Sequence, residues 1–397
     1  MRNRILLALG VASLIFAAVG CQRPRARIIA PQYDRPLAPG QLALRKITNP
    51  VEIPDFTDAC HNLANLSGAI DNSLDYLQKP SSERFFPYVD ITHKHAVRSL
   101  MSFKDLLKSG LTGQQLNDAI RRRFDIYESV GCDDAGTVLF TGYYTPIFDG
   151  SAVKTVRFQY PLYRQPDDLV KGDDGQILGR RSSDGRTIPY PARAEIENSN
   201  TLAGAEIVWL DDPFKCYVAQ VQGSAIIRMP DGRLVTYGYA ANNGHEYRSI
   251  IKQLINEGKI PPDRVNLASL MDYFRGDTAL VRQYTQLNPR FVFFSRAADS
   301  GPRGSLNEPV IAYRSIATDK TIFPRACLVF FTTNLPRNIA GQTYIDPYAG
   351  FALDQDTGGA IRAAGRCDIY LGVGDEAGKL AGQTYQEGRL YYLFLKQ

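Results

Sequence analysis

At residue 137 the texture of the sequence changes, and that change excludes most architectures open to a chain of 397 residues. Before it, residues 55–130 carry apolar side chains at helical spacing: "TDACHNLANLSGAIDNSLDYLQK", "HKHAVRSLMSFKDLLKSG" with a glycine stop at Gly110, and "TGQQLNDAIRRRFDIYESVG", where Thr112 and Gln115 spell a capping box. After it, "TVLFTGYYTPIF", "VRFQYPLYR", "AEIVWL" and "CYVAQVQGSAIIRM" alternate or run apolar and are rich in β-branched and aromatic residues. "MPDGR" (229–233) is a hairpin turn signal. Helical spacing returns at 245–257, 267–275 and 278–287, and strands close the chain in "RFVFFS", "ACLVFFTT", "TYIDPYAGFALDQ", "CDIYLGVG" and "LYYLFLK". Helices first and strands afterwards, without βα alternation or internal repeat, predict an α+β, mostly β chain and argue against a doubly wound sheet. The 33 glycines, 22 tyrosines and 19 phenylalanines suit short strands and turns, and the length suits about two domains.

The N-terminus, "MRNRILLALGVASLIFAAVGC", has a basic start at Arg2 and Arg4, an apolar run, and small residues before Cys21. This is the pattern of a secretory signal, too short for a permanent span. "AAVGC" resembles a bacterial lipobox, which makes residues 1–20 a lipoprotein signal peptide and Cys21 the lipidated residue. Gln22 follows where an aspartate often retains lipoproteins at the inner membrane, so the expected location is the outer membrane, facing the periplasm. Residues 21–54 read as a tether: six basic residues against one acidic lie in 22–46, among Pro24, Pro31, Pro36 and Pro39. The formal charge of +5 is too small and dispersed for a nucleic-acid footprint. Cys60, Cys132, Cys216, Cys327 and Cys367 remain in the mature chain without CxxC or zinc spacing; the periplasm permits disulfides, with Cys60–Cys132 the pair considered. Cys367 reads as a small apolar filler rather than a nucleophile.

No GxSxG elbow, HExxH or Walker loop occurs. His93 and His95, one residue apart on a helix, read as a surface pair, and His245 as a helix start. "DSG" (299–301) and "DTG" (356–358) resemble the loops of pepsin-like proteases, but neither follows an apolar strand as two proton-sharing lobes require. The remaining chemistry lies in carboxylates: Asp319 in "RSIATDKTIFP", Asp356 before Gly358 and Gly359, and Asp368 before "IYLGVG". An aspartate between apolar strand residues is desolvated, which raises its pKa and allows general-acid work near neutral pH. Holding turns together through backbone hydrogen bonds is the other role open to these residues. Asp354 reads as an exposed strand residue.

The run "QDTGGAIRAAGRCDIYLGVGDEAGKLAGQTYQEGRLYYLFLK" closely resembles the 3D domain, named for three aspartates, of the membrane-bound lytic murein transglycosylase A family. Further blocks occur in the family's order: "FTGYYTP" (140–146), "QYPLYRQPDDL" (159–169), "AQVQGSAIIRMPDGRLVTYGYAANNGHEYRSI" (219–250), "NPRFVFF" (288–294) and "RSIATD" (314–319). "IFPRA" stands where the family has a proline-leucine-glycine turn, and "AIRAAGR" where AIKG is usual. The resemblance implies a double-psi β-barrel domain built from N-terminal helices (55–142) and the C-terminal strands (300–397). It also implies an inserted second β-barrel-like domain (143–299), with a glycan groove between the two. It implies cleavage of the MurNAc–GlcNAc bond without water, leaving 1,6-anhydro ends. Asp368 is then acid and base, Asp356 its support, and Asp319 a residue that fixes the barrel loop and borders the substrate. Tyr143, Tyr144, Gln222 and Ser224 would contact glycan, although strand neighbours point oppositely and one of the tyrosines could be core. No cofactor or metal is implied; the expected partners are peptidoglycan strands, the membrane through Cys21, and cell-wall synthesis proteins. A non-catalytic peptidoglycan-binding lipoprotein and a water-using glycan hydrolase are the rival readings.

Overall fold

The computed structural model describes residues 31–172, 175–261, 267–297 and 301–397. The signal segment, Cys21 and Asp299 lie outside these residues.

Three helices precede the strands. Leu66–Leu77 and His93–Lys108 each bury one stripe, Leu66, Ala69, Ile70, Ser73 and Leu77 on the first and Ala96, Leu100, Phe103 and Leu106 on the second. Thr92 caps the second helix, its hydroxyl accepting from the His95 amide at 3.1 Å. The third helix, Gly113–Arg123, is shorter than its sequence suggested, and Thr112 makes no side-chain cap. The run that follows, Phe124–Ser129, is a strand paired antiparallel with the C-terminal strand, Phe124 opposite Leu395 and Ile126 opposite Leu393. Tertiary pairing has overridden helical spacing there. His93 and His95 are not a surface pair: His93 bonds the Ser82 hydroxyl, and buried His95 bonds the Leu395 carbonyl at 2.7 Å and the Gln397 amide at 3.0 Å.

Six strands close into a barrel, in the order Val138–Thr145, Arg366–Val373, Ser315–Ala317, Gln342–Asp356, Leu328–Ile339, Tyr385–Leu395 and back to Val138–Thr145. Two of the pairings are parallel, Val138–Thr145 with Arg366–Val373 and Ser315–Ala317 with Gln342–Asp356. This mixed, closed barrel is the double-psi type that the family resemblance implied, and closure leaves it without a free edge. Phe140, Val329, Phe331, Ile369, Leu390 and Tyr392 fill one side of its core. On the other side Phe330 and Phe351 pack with Phe56 and Phe103, which seats the helices on the barrel.

After Thr145 the chain leaves the barrel through Pro146 and comes back to it at Ser315. Between these points Val292–Arg296, Leu234–Asn242, Ser224–Arg228, Ile147–Ser151, Glu206–Leu210 and Tyr160–Tyr163 form a second six-stranded sheet in that order. A bridge from Arg164 to Phe294 brings its two outer strands together, giving a second barrel-like body around Leu162, Val208, Ile227 and Phe294. The helix expected from His245 begins only at Ile250, because Ser249 is its cap. Cys60 and Cys132, considered above as a disulfide, are both free and buried, as are Cys216, Cys327 and Cys367. No helix among the described residues is long and apolar enough to cross a membrane.

Candidate active site

Register places two aspartates on one rim. Asp368 lies opposite Thr141 on one side and Ala317 on the other. Ala317 in turn lies opposite Asp356. Residues directly opposite in a ladder share a face, so Asp356 and Asp368 flank Ala317 about 10 Å apart in backbone position. Both line a groove of about 1570 Å³, part of it open to solvent, between the barrel and the inserted body.

The Asp368 Oδ1 atom is buried and has no hydrogen-bond partner. Burial raises the carboxyl to about 6, more than the nearby Arg366 charge and the Thr141 hydroxyl lower it; Asp356 pushes it slightly further up. Asp356 is held differently. Its Oδ1 accepts from the Ser305 and Thr357 amides, both at 2.8 Å, and its Oδ2 from the Tyr143 hydroxyl at 2.9 Å. Burial raises this carboxyl too, against those hydrogen bonds. One carboxyl is therefore free to exchange a proton while the other is fixed by three donors.

Asp354 is the clearest departure from its sequence reading. It is fully buried, ion-paired with Lys320, and accepts from Thr318 and Tyr392 hydroxyls, each at 2.7 Å. A β-bulge causes this: Ile316 and Ala317 are consecutive, yet they oppose Asp354 and Asp356. The extra residue turns Asp354 into the barrel and Asp356 out to the groove, although residues two apart in a regular strand would share a face. Asp319 is also buried and does not line the groove. It accepts from the Thr321 amide and hydroxyl and from the Ala363 amide, tying its own loop to the segment before Asp368. This is the loop-fixing role expected of it, without contact to the groove.

Strand alternation separates the two tyrosines. Tyr143 lines the groove, its ring 5.1 Å from that of Tyr370. Tyr144 faces the other way, buried beneath the helix Gly374–Gln383, where a Cβ on Gly378 would meet its ring at 2.9 Å. Tyr144 is thus core, and only its amide serves the site, donating to Gln222 Oε1 at 3.1 Å. Gln222 ends the helix Pro213–Gln222, which Asp212 caps and Gly223 terminates at φ 77°. Ser224 starts the next strand and bonds Thr145, which bonds the Tyr370 hydroxyl, both at 3.1 Å. Gln222 and Ser224 therefore border the groove and also splice the inserted body to the barrel.

Gly359 explains the glycine pair after Asp356. A Cβ there would lie 3.2 Å from both Arg290 Nε and Tyr247 Cβ of the inserted body. Tyr239, Tyr247, Arg290, Arg303, Arg362 and Arg366 also line the groove. Most of these lie within the blocks that match the family, but nothing in a single sequence says which side chains of a block turn inward. Among the described residues no group of His, Cys, Asp and Glu is placed to hold a metal ion.

The chain matches two family models, "MltA specific insert domain" over residues 139–295 and "3D domain" over residues 314–394. Membrane-bound lytic murein transglycosylase A of Escherichia coli (strain K12) is 32% identical over 273 residues, 68% of this chain and 69% of the relative. The Vibrio cholerae serotype O1 protein of the same name is 30% identical over 270 residues, 67% and 68% of the two chains. In fold, the chain resembles a membrane-bound lytic murein transglycosylase from Agrobacterium tumefaciens (TM-score 0.73, 24% identity, covering 89% and 98% of the two chains). It also resembles E. coli MltA with bound chitohexaose (TM-score 0.67, 24% identity, covering 93% and 97%). The matched insert and 3D domains together with these relatives define a lytic murein transglycosylase. The chain belongs to the membrane-bound lytic murein transglycosylase A family.

Proposed function

We propose that the enzyme cleaves the MurNAc–GlcNAc β-1,4 bond without water, with Asp368 as acid and then base. The observation that carries this is the buried, unpartnered oxygen of Asp368, a residue that lines the groove and whose carboxyl is raised to about 6. An ordinary glycosidase needs a second carboxyl to activate water or to form a covalent intermediate. Here the carbon 6 hydroxyl of muramic acid attacks its own anomeric carbon, and proximity supplies much of the acceleration. Protonated Asp368 gives its proton to the departing glycosidic oxygen. The resulting carboxylate then takes the proton of the carbon 6 hydroxyl as the 1,6-anhydro ring closes. Asp356, held by Ser305, Thr357 and Tyr143, supports positive charge on the sugar ring.

Tyr143 offers its ring to a sugar face, and Gln222 and Ser224 offer amide and hydroxyl to sugar hydroxyls. That the solved E. coli relative has chitohexaose bound supports a glycan as the ligand. We take the inserted domain to begin after the barrel strand that ends at Thr145 and to end near Arg296, with the barrel completed by the residues from about 300 onward. Cys21 carries the lipid that attaches the protein to the outer membrane, facing the periplasm, where cell-wall synthesis proteins are expected neighbours.

The test is digestion of purified sacculi by the wild type and Asp368→Asn. The wild type should release anhydro-muropeptides and the variant none. Products one water heavier, with reducing ends, indicate a hydrolase instead; binding to sacculi without soluble products indicates a non-catalytic lipoprotein.

A further inference from the structure

The charged lining of the groove is unbalanced. Among the described residues it holds Arg193, Arg290, Arg303, Arg362 and Arg366 against Asp356 and Asp368. A groove for neutral amino sugars needs hydroxyls, amides and aromatic faces, not guanidinium groups. Two of the five have structural duties. Arg193 is buried and donates to Asn288, Gln220, Glu197 and the Arg290 carbonyl; Arg303 donates to the Asn307 carbonyl and lies 3.8 Å from Glu308.

The other three are under-used. Arg290 donates to the His245 carbonyl and has no carboxylate within ion-pair distance among the described residues; Arg362 repels it, and Tyr239 and Glu246 attract it at longer range. Arg362 comes no closer than 3.9 Å to Asp319, whose oxygens are already taken by Thr321 and Ala363. Arg366 gives one nitrogen to Thr141 at 3.3 Å, and its Nε is buried with no partner. The three converge. Arg290 packs against Gly359, Arg362 is three residues further along that segment, and Arg366 stands two strand residues, about 7 Å, from Asp368 on the same face. Guanidinium groups brought together and left short of acceptors suit an incoming carboxylate, which each can bind through paired donors.

We propose that Arg290, Arg362 and Arg366 form a carboxylate subsite beside Asp368 that takes the acidic substituent on carbon 3 of muramic acid. This rests on the assignment of Asp368 above and adds to it a means of setting register. Glucosamine and muramic residues alternate along the glycan, and only the muramic residue bears a carbon 3 lactyl ether, ending in a free carboxylate or extended into an acidic peptide stem. A strand shifted by one sugar leaves the three arginines without an acceptor. The subsite thereby places the muramic ring, whose carbon 6 hydroxyl must attack, over the acid.

The experiment measures binding by calorimetry in the Asp368→Asn protein, so that no turnover intervenes. Three oligosaccharides of equal length are compared: peptide-free muramic strands, peptide-bearing strands, and neutral chitohexaose. At least one muramic form should bind ten-fold or more tightly than chitohexaose, with the advantage shrinking as salt rises. Arg362→Gln and Arg290→Gln should remove that advantage while leaving chitohexaose affinity within two-fold, which also verifies the fold; Arg362→Lys should retain part of it. Preference for peptide-free strands identifies the lactyl carboxylate, and preference confined to peptide-bearing strands identifies the stem. Equal affinity for all three ligands, or an advantage that survives both glutamine variants, overturns the proposal. Absence of anhydro products from wild type on sacculi would overturn the catalytic assignment instead, and the binding results stand apart from it.

Discussion

If Asp368 is the acid of the proposed reaction, a single carboxyl must be protonated before it can act, and the enzyme is sensitive to pH in a defined direction. Asp368 is raised to about 6, so its acid form predominates below that value and is lost above it. The rate of anhydro-product release at low substrate should therefore fall about ten-fold per pH unit above roughly 6; a flat profile from pH 5 to 8 would exclude Asp368 as the acid. The same burial has a cost in stability. A carboxyl whose pKa is raised on folding favours the folded state less as pH climbs from its unfolded value, 3.8, through its folded value. Asp368→Asn removes that penalty. The variant should gain up to about 3 kcal/mol over wild type at pH 7.5 and little at pH 4, read from urea midpoints at the two pH values. Asp354 is the opposite case, a buried charge satisfied by Lys320 and two hydroxyls. Asp354→Ala leaves Lys320 buried and unpaired and should cost about 3–5 kcal/mol. Adding Lys320→Met should restore part of that loss, so a double variant less stable than the single one would contradict the pairing.

At the scale of elements, the bulge opposite Ile316–Ala317 decides which aspartate lines the groove. It was not legible in the sequence. Regular alternation puts Asp354 and Asp356 on one face, and only the register of a partner strand about 40 residues away separates them. The tyrosine pair was half legible: alternation requires one of Tyr143 and Tyr144 to face inward, but the packing of Tyr144 beneath Gly378 is a tertiary fact. Amphipathic helices were readable because their stripes are local, whereas Phe124–Ser129 was misread because its partner lies at the far end of the chain. The turn after Asp356 shows how closely two elements can be fitted. Gly359→Val would drive its side chain into Arg290 and Tyr247, narrowing the groove without touching the barrel core. It should lower kcat/KM for sacculi at least ten-fold while far-ultraviolet dichroism stays as in wild type. Unchanged activity would mean that the turn and the inserted body do not set the width of the groove.

For the whole molecule, the sequence made the α+β, mostly β class plain, but barrel closure depends on pairings such as Leu139 with Arg366 and with Glu387, separated by more than 200 residues, which no periodicity reveals. Only the resemblance of the quoted blocks to a known family supplied the topology. The same blocks say nothing about where the barrel works, and there the N-terminus carries the argument. Tyr33 already belongs to the folded body, its hydroxyl donating to Glu387 at 2.7 Å. If Cys21 bears the lipid, the ten residues between it and Gln32 span at most about 35 Å. The groove is then confined to a shell of murein next to the membrane, and location rather than affinity limits which strands are cut. Cys21→Ser should move the protein from the membrane fraction to the soluble periplasmic fraction and abolish incorporation of labelled fatty acid. Its specific activity on isolated sacculi should stay within two-fold of wild type, because the substitution leaves every groove-lining residue named above unchanged. Continued sedimentation of the serine variant with membranes would show that another part of the protein holds it there.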